Sequence, residues 1–224
     1  MSGLTASVGE NGKNLPHDVM AVEKRLRIHG LLNGPANGTC GSETIAAIRR
    51  FQSGFLIHVD GRVDPRGKTL QRLNAPPVGQ WAGDSSKWSQ DKKLQSLNPL
   101  LRPKVEAVLD ALSKRGFQPK VFYGWRSVAV QLKLYQLGNS KVKFSFHNAQ
   151  KPDGTPDSYA ADIVDSRYGW AEDARTSGFW DALGEEAKAQ GLYWGGDWSS
   201  FRDWAHVQLV ANGQLHAVKR LSGL

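Results

Sequence analysis

The sequence predicts two domains, a small all-α module followed by a larger α+β domain. Within residues 16–74, apolar side chains recur at the three- and four-residue spacing of amphipathic helices. A run rich in Pro, Gly and Ser at residues 76–86 predicts a linker. Beyond it, helical patterns alternate with short apolar runs of strand length, which favours helices packed on a short antiparallel sheet. We therefore place the domains at residues 1–75 and 87–224.

The small module divides into three predicted helices. The first has an apolar face from Val19 to Leu26, with Asp18 as its expected cap. The second is expected to be capped by Ser42, and a turn at residues 60–65 precedes a third, shorter helix.

Composition and charge exclude several classes of protein. The 224 residues are 40% hydrophobic and 22% charged, as in ordinary globular proteins. The single Cys40 excludes a disulfide within the chain and a cysteine-based zinc site. The first residues lack a basic start followed by an apolar run, and no stretch is long enough to span a bilayer. We therefore expect no secretory signal, no stable membrane insertion and accumulation in the cytoplasm of the cell that makes the protein.

The net charge of +8 is shared between the two predicted domains, with +4 on each side of residue 75. No Lys/Arg-rich tail or basic helix of the kind that binds nucleic acid is present. The charge is consistent with an anionic partner such as cell-wall material, or with solubility alone.

Two separate stretches of the larger domain hold the candidate metal ligands. His147, Asp162 and His206 could share one ion, and two imidazoles with one carboxylate suit zinc. A three-ligand zinc site leaves a fourth position for water, whose pKa the ion lowers to about 7. Asp203, three residues before the last histidine, is placed to serve as a base.

Spacing alone does not decide this assignment, because an isolated histidine is usually a packing or hydrogen-bonding residue. Three further carboxylates compete with Asp162 as ligand: Asp153, Asp157 and Asp165.

The residues around the candidate ligands resemble the LAS-type zinc peptidases, the family of D-alanyl-D-alanine carboxypeptidases and L-alanyl-D-glutamate endopeptidases. The family pattern, S-x-H, then A-x-D, then an acidic residue three before a final His, is matched by Ser145, His147, Ala160, Asp162, Asp203 and His206. Two more stretches resemble family motifs: R-S-V-A-V-Q-L-K-L-Y from Arg126 and G-L-Y-W-G-G-D-W from Gly191. The resemblance implies an α+β zinc peptidase domain whose sheet carries one zinc ion.

One departure from the family is the longer separation of fifteen positions between His147 and Asp162. The extra residues, within 148–157, are polar and contain Gly and Pro, which predicts a surface loop insertion.

The same resemblance implies roles in the substrate cleft for Arg126, Gln131 and Ser145. Arg126 could bind a carboxylate or stabilise an oxyanion, or it could form an ordinary surface ion pair. Gln131 and Ser145 are expected to hydrogen-bond peptide groups of the substrate.

The small module, in turn, resembles the three-helix peptidoglycan-binding module. The match is carried by Gly41, Thr44, Ala47, Ile48, Phe51, Gln52, Asp60, Gly61 and Val63. Most of these are core or turn residues, so they indicate a fold. A helical cap without a ligand is the alternative.

Together the two resemblances imply a monomeric zinc endopeptidase that binds and degrades bacterial peptidoglycan. We expect a phage endolysin that stays in the host cytoplasm until its release to the wall, and the L-alanyl-D-glutamate bond of the stem peptide as its target. The alternatives are a D-alanyl-D-alanine carboxypeptidase and a non-catalytic wall-binding protein with a degenerate zinc fold.

Overall fold

A computed structural model describes residues 3–75, 81, 84–151 and 153–224. The predicted linker at residues 76–86 therefore lies largely outside the described part of the chain. At the end of this stretch, the Asp84 carboxylate accepts a hydrogen bond from the Ser86 N–H and caps a 3-10 turn at Ser85–Lys87. The domain boundaries at residues 75 and 87 stay a prediction.

The N-terminal module combines helices with a small sheet. Its helices are α1 (Pro16–Ile28), α2 (Ser42–Ser53) and α3 (Lys68–Asn74). The all-α prediction is wrong in one respect, because β1 (Val8–Gly9) and β2 (Arg62–Val63) pair as an antiparallel two-stranded sheet. Strands this short have no period-2 pattern to reveal them in the sequence. The core comprises Leu4, Val8, Val19, Val22, Leu26, Ala47, Ile48, Val63, Leu70 and Leu73.

The predicted caps of α1 and α2 are displaced. Helix α1 begins at Pro16, before Asp18, since the fixed φ of proline suits the first turn of a helix. The buried Asp18 carboxylate instead accepts hydrogen bonds from the backbone N–H groups of Thr5 and Ala6. It therefore fastens the N-terminal segment to α1. Ser42 is the first residue of α2 rather than its cap.

The C-terminal domain is α+β, as expected. Its helices are α4 (Gln90–Gln95), α5 (Arg102–Lys114), α6 (Val128–Gln136), α7 (Glu172–Thr176), α8 (Phe179–Ala189) and α9 (Leu215–Leu221). Its strands are β3 (Pro119–Tyr123), β4 (Ala160–Asp165), β5 (Tyr193–Trp194) and β6 (His206–Gln208). They form a sheet in the order β3-β4-β6-β5 with antiparallel neighbours.

Strand β4 lies at the centre of this sheet, and all six of its residues are buried. Helix α5 packs over the domain core with Val105, Val108 and Leu112, which recur at helical spacing and are fully buried. Because β4 pairs with β6 in a register that sets Asp162 opposite His206, the sheet itself brings two candidate ligands together.

The insertion between His147 and Asp162 folds as a short hairpin-like loop, with Pro152 outside the described residues. The Lys151 N–H donates to the Thr155 carbonyl at 2.8 Å, and the Asp157 N–H donates to the Ala149 carbonyl at 3.0 Å. The loop therefore closes on itself and leaves β4 free to pair with β6. None of the described helices has the length and apolar character needed to cross a bilayer.

Candidate metal centre

Three side chains from different elements converge at one end of the sheet. His147 lies on a 3-10 turn at Phe146–Asn148, Asp162 on β4 and His206 on β6. The Asp162 Oδ1 atom lies 3.1 Å from His147 Nε2 and 3.2 Å from His206 Nδ1, and the two nitrogens are 3.2 Å apart. All three residues are buried.

In each histidine, the ring nitrogen that faces away from the cluster forms a hydrogen bond that fixes the tautomer of the ring. His147 Nδ1 lies 2.7 Å from the Gly124 carbonyl oxygen, which can only accept, so Nδ1 carries the hydrogen. His206 Nε2 lies 2.9 Å from Gln208 Oε1. The Gln208 amide nitrogen donates to the Val210 carbonyl, which fixes the amide orientation, so His206 Nε2 is also a donor.

In the neutral rings, the atoms that face each other are therefore His147 Nε2 and His206 Nδ1, both without a proton. With Asp162 Oδ1, three electron-pair donors meet at contact distance, an arrangement that a cation stabilises. Ligands held about 2.0–2.1 Å from a tetrahedral zinc ion are about 3.3 Å apart, close to the observed separations. The donor set and its spacing fit zinc, and a backbone carbonyl such as that of Gly124 is a usual far-side partner of a metal-bound histidine.

The electrostatics of the three groups follow from their mutual contacts. Burial alone would raise the pKa of Asp162, but His147, His206 and Arg126 hold it well below its usual range. Burial lowers the pKa of His147, so this ring favours its neutral, ligand form. Burial opposes charge on His206 as well, but its hydrogen bond to Asp162 and the nearby carboxylates raise its pKa.

Local backbone interactions hold the His147 turn in place. The Ser145 N–H donates to Asn148 Oδ1 at 2.8 Å, which closes the turn as a capping box. The Asn148 amide donates to the Arg126 carbonyl at 2.7 Å, and the Arg126 N–H donates to the His147 carbonyl at 2.9 Å. Ser145 lines the cleft, as expected, and it also serves this structural purpose.

Asp203 lies at the start of a tight turn that ends at His206. The His206 N–H donates to the Asp203 carbonyl at 3.1 Å, so the chain turns at Trp204–Ala205 and the strand begins at His206, as the sequence predicted. Both side chains consequently line the same cleft, although residues three apart in a regular strand point to opposite faces. Burial and the Asp162 charge raise the pKa of Asp203 to about 6, a value suited to proton transfer near neutral pH.

Arg126 is buried and is not a surface ion pair. Its Nη2 donates to Asp162 Oδ2 at 3.0 Å, and its Nη1 donates to Gln131 Oε1 at 2.9 Å. Its guanidinium lies over the Tyr123 ring, 4.2 Å from the centroid. The Nε–H has no hydrogen-bond partner among the described residues, and the side chain lines the cleft. Arg126 thus orients the candidate ligand Asp162 and is itself held by Gln131.

The position of Gln131 differs from the expected one. Its side chain is fully buried, is absent from the cleft lining and donates to Ser140 Oγ and to the Val142 carbonyl. It therefore positions Arg126 instead of contacting substrate. Helical periodicity could not reveal this, because the partners of Gln131 lie in the loop that follows α6.

The competing carboxylates lie elsewhere. Asp165 pairs with Arg167 at 2.6 Å, Asp157 accepts from the Asn98 amide at 3.0 Å, and Asp153 accepts from the Thr155 N–H within the insertion. None of the three belongs to the cluster formed by His147, Asp162 and His206.

Sequence reasoning missed two partners of the ligands. Gln208 had a detectable signal, because it stands two residues after His206 on the same strand face. The Gly124 carbonyl had none, since a backbone oxygen carries no sequence signature. The cleft has a volume of about 920 Å³, and Trp198, whose ring centroid lies 5.2 Å from that of His206, also lines it.

Two segments of the chain match known protein families. Residues 16–73 match the family model described as putative peptidoglycan binding domain, and residues 152–209 match the model described as D-alanyl-D-alanine carboxypeptidase. These two matches support a LAS-type zinc peptidase domain that follows a peptidoglycan-binding module. Asp162, Asp203 and His206 fall inside the matched peptidase segment, whereas His147 precedes it and joins the cluster through the fold.

Two known proteins are similar to part of this chain. The peptidoglycan L-alanyl-D-glutamate endopeptidase CwlK of Bacillus subtilis (strain 168) is 29% identical over 141 residues, which cover 55% of this chain and 80% of the relative. The L-Ala D-Glu endopeptidase ChiX of Serratia marcescens, whose crystal structure is known, is 24% identical in sequence to this chain. The two structures superpose with a TM-score of 0.39. That alignment covers 54% of this chain and 86% of ChiX.

Proposed function

We propose that the protein is a zinc endopeptidase that cleaves the L-alanyl-D-glutamate bond of peptidoglycan stem peptides. The observation that carries the proposal is the convergence of His147 Nε2, His206 Nδ1 and Asp162 Oδ1, three unprotonated donors at 3.1–3.2 Å. The L-alanyl-D-glutamate endopeptidase activity of the Bacillus subtilis relative supports the choice of bond.

His147, Asp162 and His206 would hold the zinc ion. When bound at a three-ligand site, zinc supplies Lewis-acid polarisation of a carbonyl and makes a water nucleophile available near neutral pH. The Gly124 carbonyl and Gln208 keep the two histidines in the tautomers that bind metal, and Arg126 fixes the Asp162 carboxylate.

Asp203 is the proposed base. As a carboxylate, it takes a proton from the attacking water and then delivers it to the leaving amine. Asp203 lies on the turn before His206 and lines the cleft together with the candidate ligands. Its carboxylate forms no ion pair with any described residue, so it is available for proton transfer. Arg126 lines the cleft, and its guanidinium charge suits it to a developing oxyanion or a substrate carboxylate.

A D-alanyl-D-alanine carboxypeptidase is the second candidate, because the matched peptidase model carries that description. Mass spectrometry of purified peptidoglycan digested by the protein separates the two. Cleavage at L-alanyl-D-glutamate releases peptides that begin with D-glutamate and leaves L-alanine on the glycan. Release of free D-alanine alone would show the carboxypeptidase, and an unchanged polymer would show a non-catalytic wall-binding protein.

The phage endolysin role, the host cytoplasmic location before release and the monomeric state remain predictions from the sequence. Lysis of bacteria when the protein is co-produced with a membrane-permeabilising holin, and intact cells without the holin, would support the first two.

A further inference from the structure

One wall of the cleft is formed by an exposed tryptophan, Trp170. It is 52% exposed, whereas Trp125, Trp180 and Trp194 in the same domain are each below 8%. Its ring meets that of Phe122 edge to face, with centroids 4.6 Å apart and an interplanar angle of 85°. A large apolar ring is thus held in place at the cleft while about half of its surface stays open to a ligand.

The wall is continuous with the metal centre. The Phe122 ring lies 5.0 Å from that of Tyr123, and the Arg126 guanidinium covers Tyr123 before it reaches Asp162. We call Trp170, Phe122 and Tyr123 the aromatic shelf. All three line the cleft.

A β-bulge builds the shelf. Phe122 and Tyr123 are consecutive in β3, and a regular pleat would direct them to opposite faces of the sheet. The pairing of β3 with β4 shifts between Val121 and Tyr123, so that two steps along β3 match one step along β4. Such a bulge re-aims side chains, and both rings consequently line the cleft.

The loop that carries Trp170 is anchored at its base. The Asp165 carboxylate accepts hydrogen bonds from the Gln118 and Arg167 N–H groups, and the Asp165 carbonyl accepts from Gly169. Gly169 has a φ of 58°, a left-handed conformation that glycine adopts without strain. The exposure of Trp170 is therefore a property of a fixed loop.

We propose that the aromatic shelf is a sugar-binding subsite in which Trp170 stacks on a pyranose ring of the glycan strand. The inference rests on the proposed function. In peptidoglycan, the stem L-alanine is joined to the lactyl group of N-acetylmuramic acid, so a sugar lies one residue from the amide to be cut. A pyranose presents a flat face of C–H groups that packs well on an indole ring, which combines large apolar area with a polar edge. The stem peptide offers no flat apolar group of that size, and this favours the sugar as the occupant.

The test compares two substrates that differ only in the sugar. One is a disaccharide-tetrapeptide prepared from peptidoglycan with a muramidase, and the other is the same tetrapeptide with an acetyl group in place of the sugar. Trp170→Ala should lower kcat/KM on the first by roughly tenfold, as expected when an aromatic stacking partner is removed, and leave the second within about twofold. Trp170→Phe, which keeps a ring, should fall between Trp170→Ala and the wild type. Tyr193→Ala is the matched control, because Tyr193 is 50% exposed but lies outside the cleft lining.

An equal loss of kcat/KM on both substrates in Trp170→Ala would show that Trp170 contacts the peptide or supports the fold. No loss on either substrate would show that Trp170 does not contact the substrate. Each of these results overturns the proposal. Binding of the free disaccharide to metal-free protein, measured by calorimetry, separates this proposal from the proposed function. Wild-type binding that Trp170→Ala abolishes supports the subsite even if the chain cleaves neither substrate. Absence of disaccharide binding to the wild type, together with equal kcat/KM on both substrates, refutes the subsite alone.

Discussion

His147 Nε2 lies 3.2 Å from His206 Nδ1, and when both rings are neutral the hydrogen bonds on their far sides leave these facing atoms without a proton. Two lone pairs at contact distance repel unless a positive charge lies between them. The Asp162 carboxylate adds a third donor, and the three residues form a group that could hold a metal ion.

Gln208 should control metal affinity through the tautomer of His206. In Gln208→Leu the Nε2–H loses its acceptor, so the ring no longer favours the form with a free Nδ1. We expect zinc affinity to fall by about 10- to 100-fold, measured by competition with a chromogenic chelator. Gln95→Leu, at an exposed position of α4, is the control. An unchanged affinity in Gln208→Leu would mean that the tautomer is fixed by other contacts.

Asp203 should matter for turnover and not for metal binding. Asp203→Ala should keep its zinc and its melting temperature within a few degrees yet lose about 10²-fold or more in kcat, as expected for removal of a general base. Asp197→Ala removes an exposed carboxylate from the neighbouring turn and should stay active. If Asp203→Ala keeps most of its rate on peptidoglycan, the base lies elsewhere.

Gly195 should tolerate no side chain, because an added Cβ would overlap the Asp203 carbonyl oxygen and come within 3.2 Å of the His206 Cβ. We expect Gly195→Ala to displace the Asp203–His206 turn, lower activity and destabilise the fold by about 1–3 kcal/mol. Gly213→Ala meets nothing within 4 Å and is the matched control. Urea unfolding measures the stability of both variants, and peptidoglycan hydrolysis measures their activity. Equal stability and activity of the two variants would show that close packing at Gly195 does not hold the Asp203–His206 turn.

Asp165 should make stability depend on pH. Hydrogen bonds from Arg167 come first among the interactions that lower its pKa to about 2, from an ordinary value of 3.8. A lowered carboxyl pKa stabilises the fold above the unfolded-state value, and the contribution is lost as the pH falls through about 2. Asp165→Asn should therefore lower the free energy of unfolding by about 2 kcal/mol at pH 7, and by progressively less as the pH falls below 4.

Urea unfolding of Asp165→Asn and the wild type at several pH values measures this difference. Asp181→Asn, at an exposed position of α8, should match the wild type throughout. A cost for Asp165→Asn that does not change between pH 7 and pH 3 would show that the charge of Asp165 is not what stabilises its loop.

Much of the fold could be predicted because periodic burial leaves a signal in the sequence. The apolar faces of α1 and α5 are of this kind. The paired strands β1 and β2 could not be predicted, because two-residue strands have no period. The position of Asp18 was missed for another reason, since its partners Thr5 and Ala6 are distant in sequence.

Some features of the candidate site could likewise be predicted from the sequence, and others could not. His147, Asp162 and His206 could be proposed because their types and order match a known chemistry, and the turn between Asp203 and His206 follows from strand geometry. The inward position of Gln131 and the bulge that brings Phe122 into the cleft could not be foreseen, because both depend on how separate elements pack. Gln208 could have been found from its two-residue spacing to His206.

The metal content of the purified protein tests the central claim most directly. Elemental analysis after dialysis against metal-free buffer should find about one zinc per chain in the wild type and in His58→Ala, whose histidine lies in the N-terminal module. The same analysis should find almost none in His147→Ala and His206→Ala, because each loses one of three ligands. Full zinc occupancy in both site variants would contradict the account.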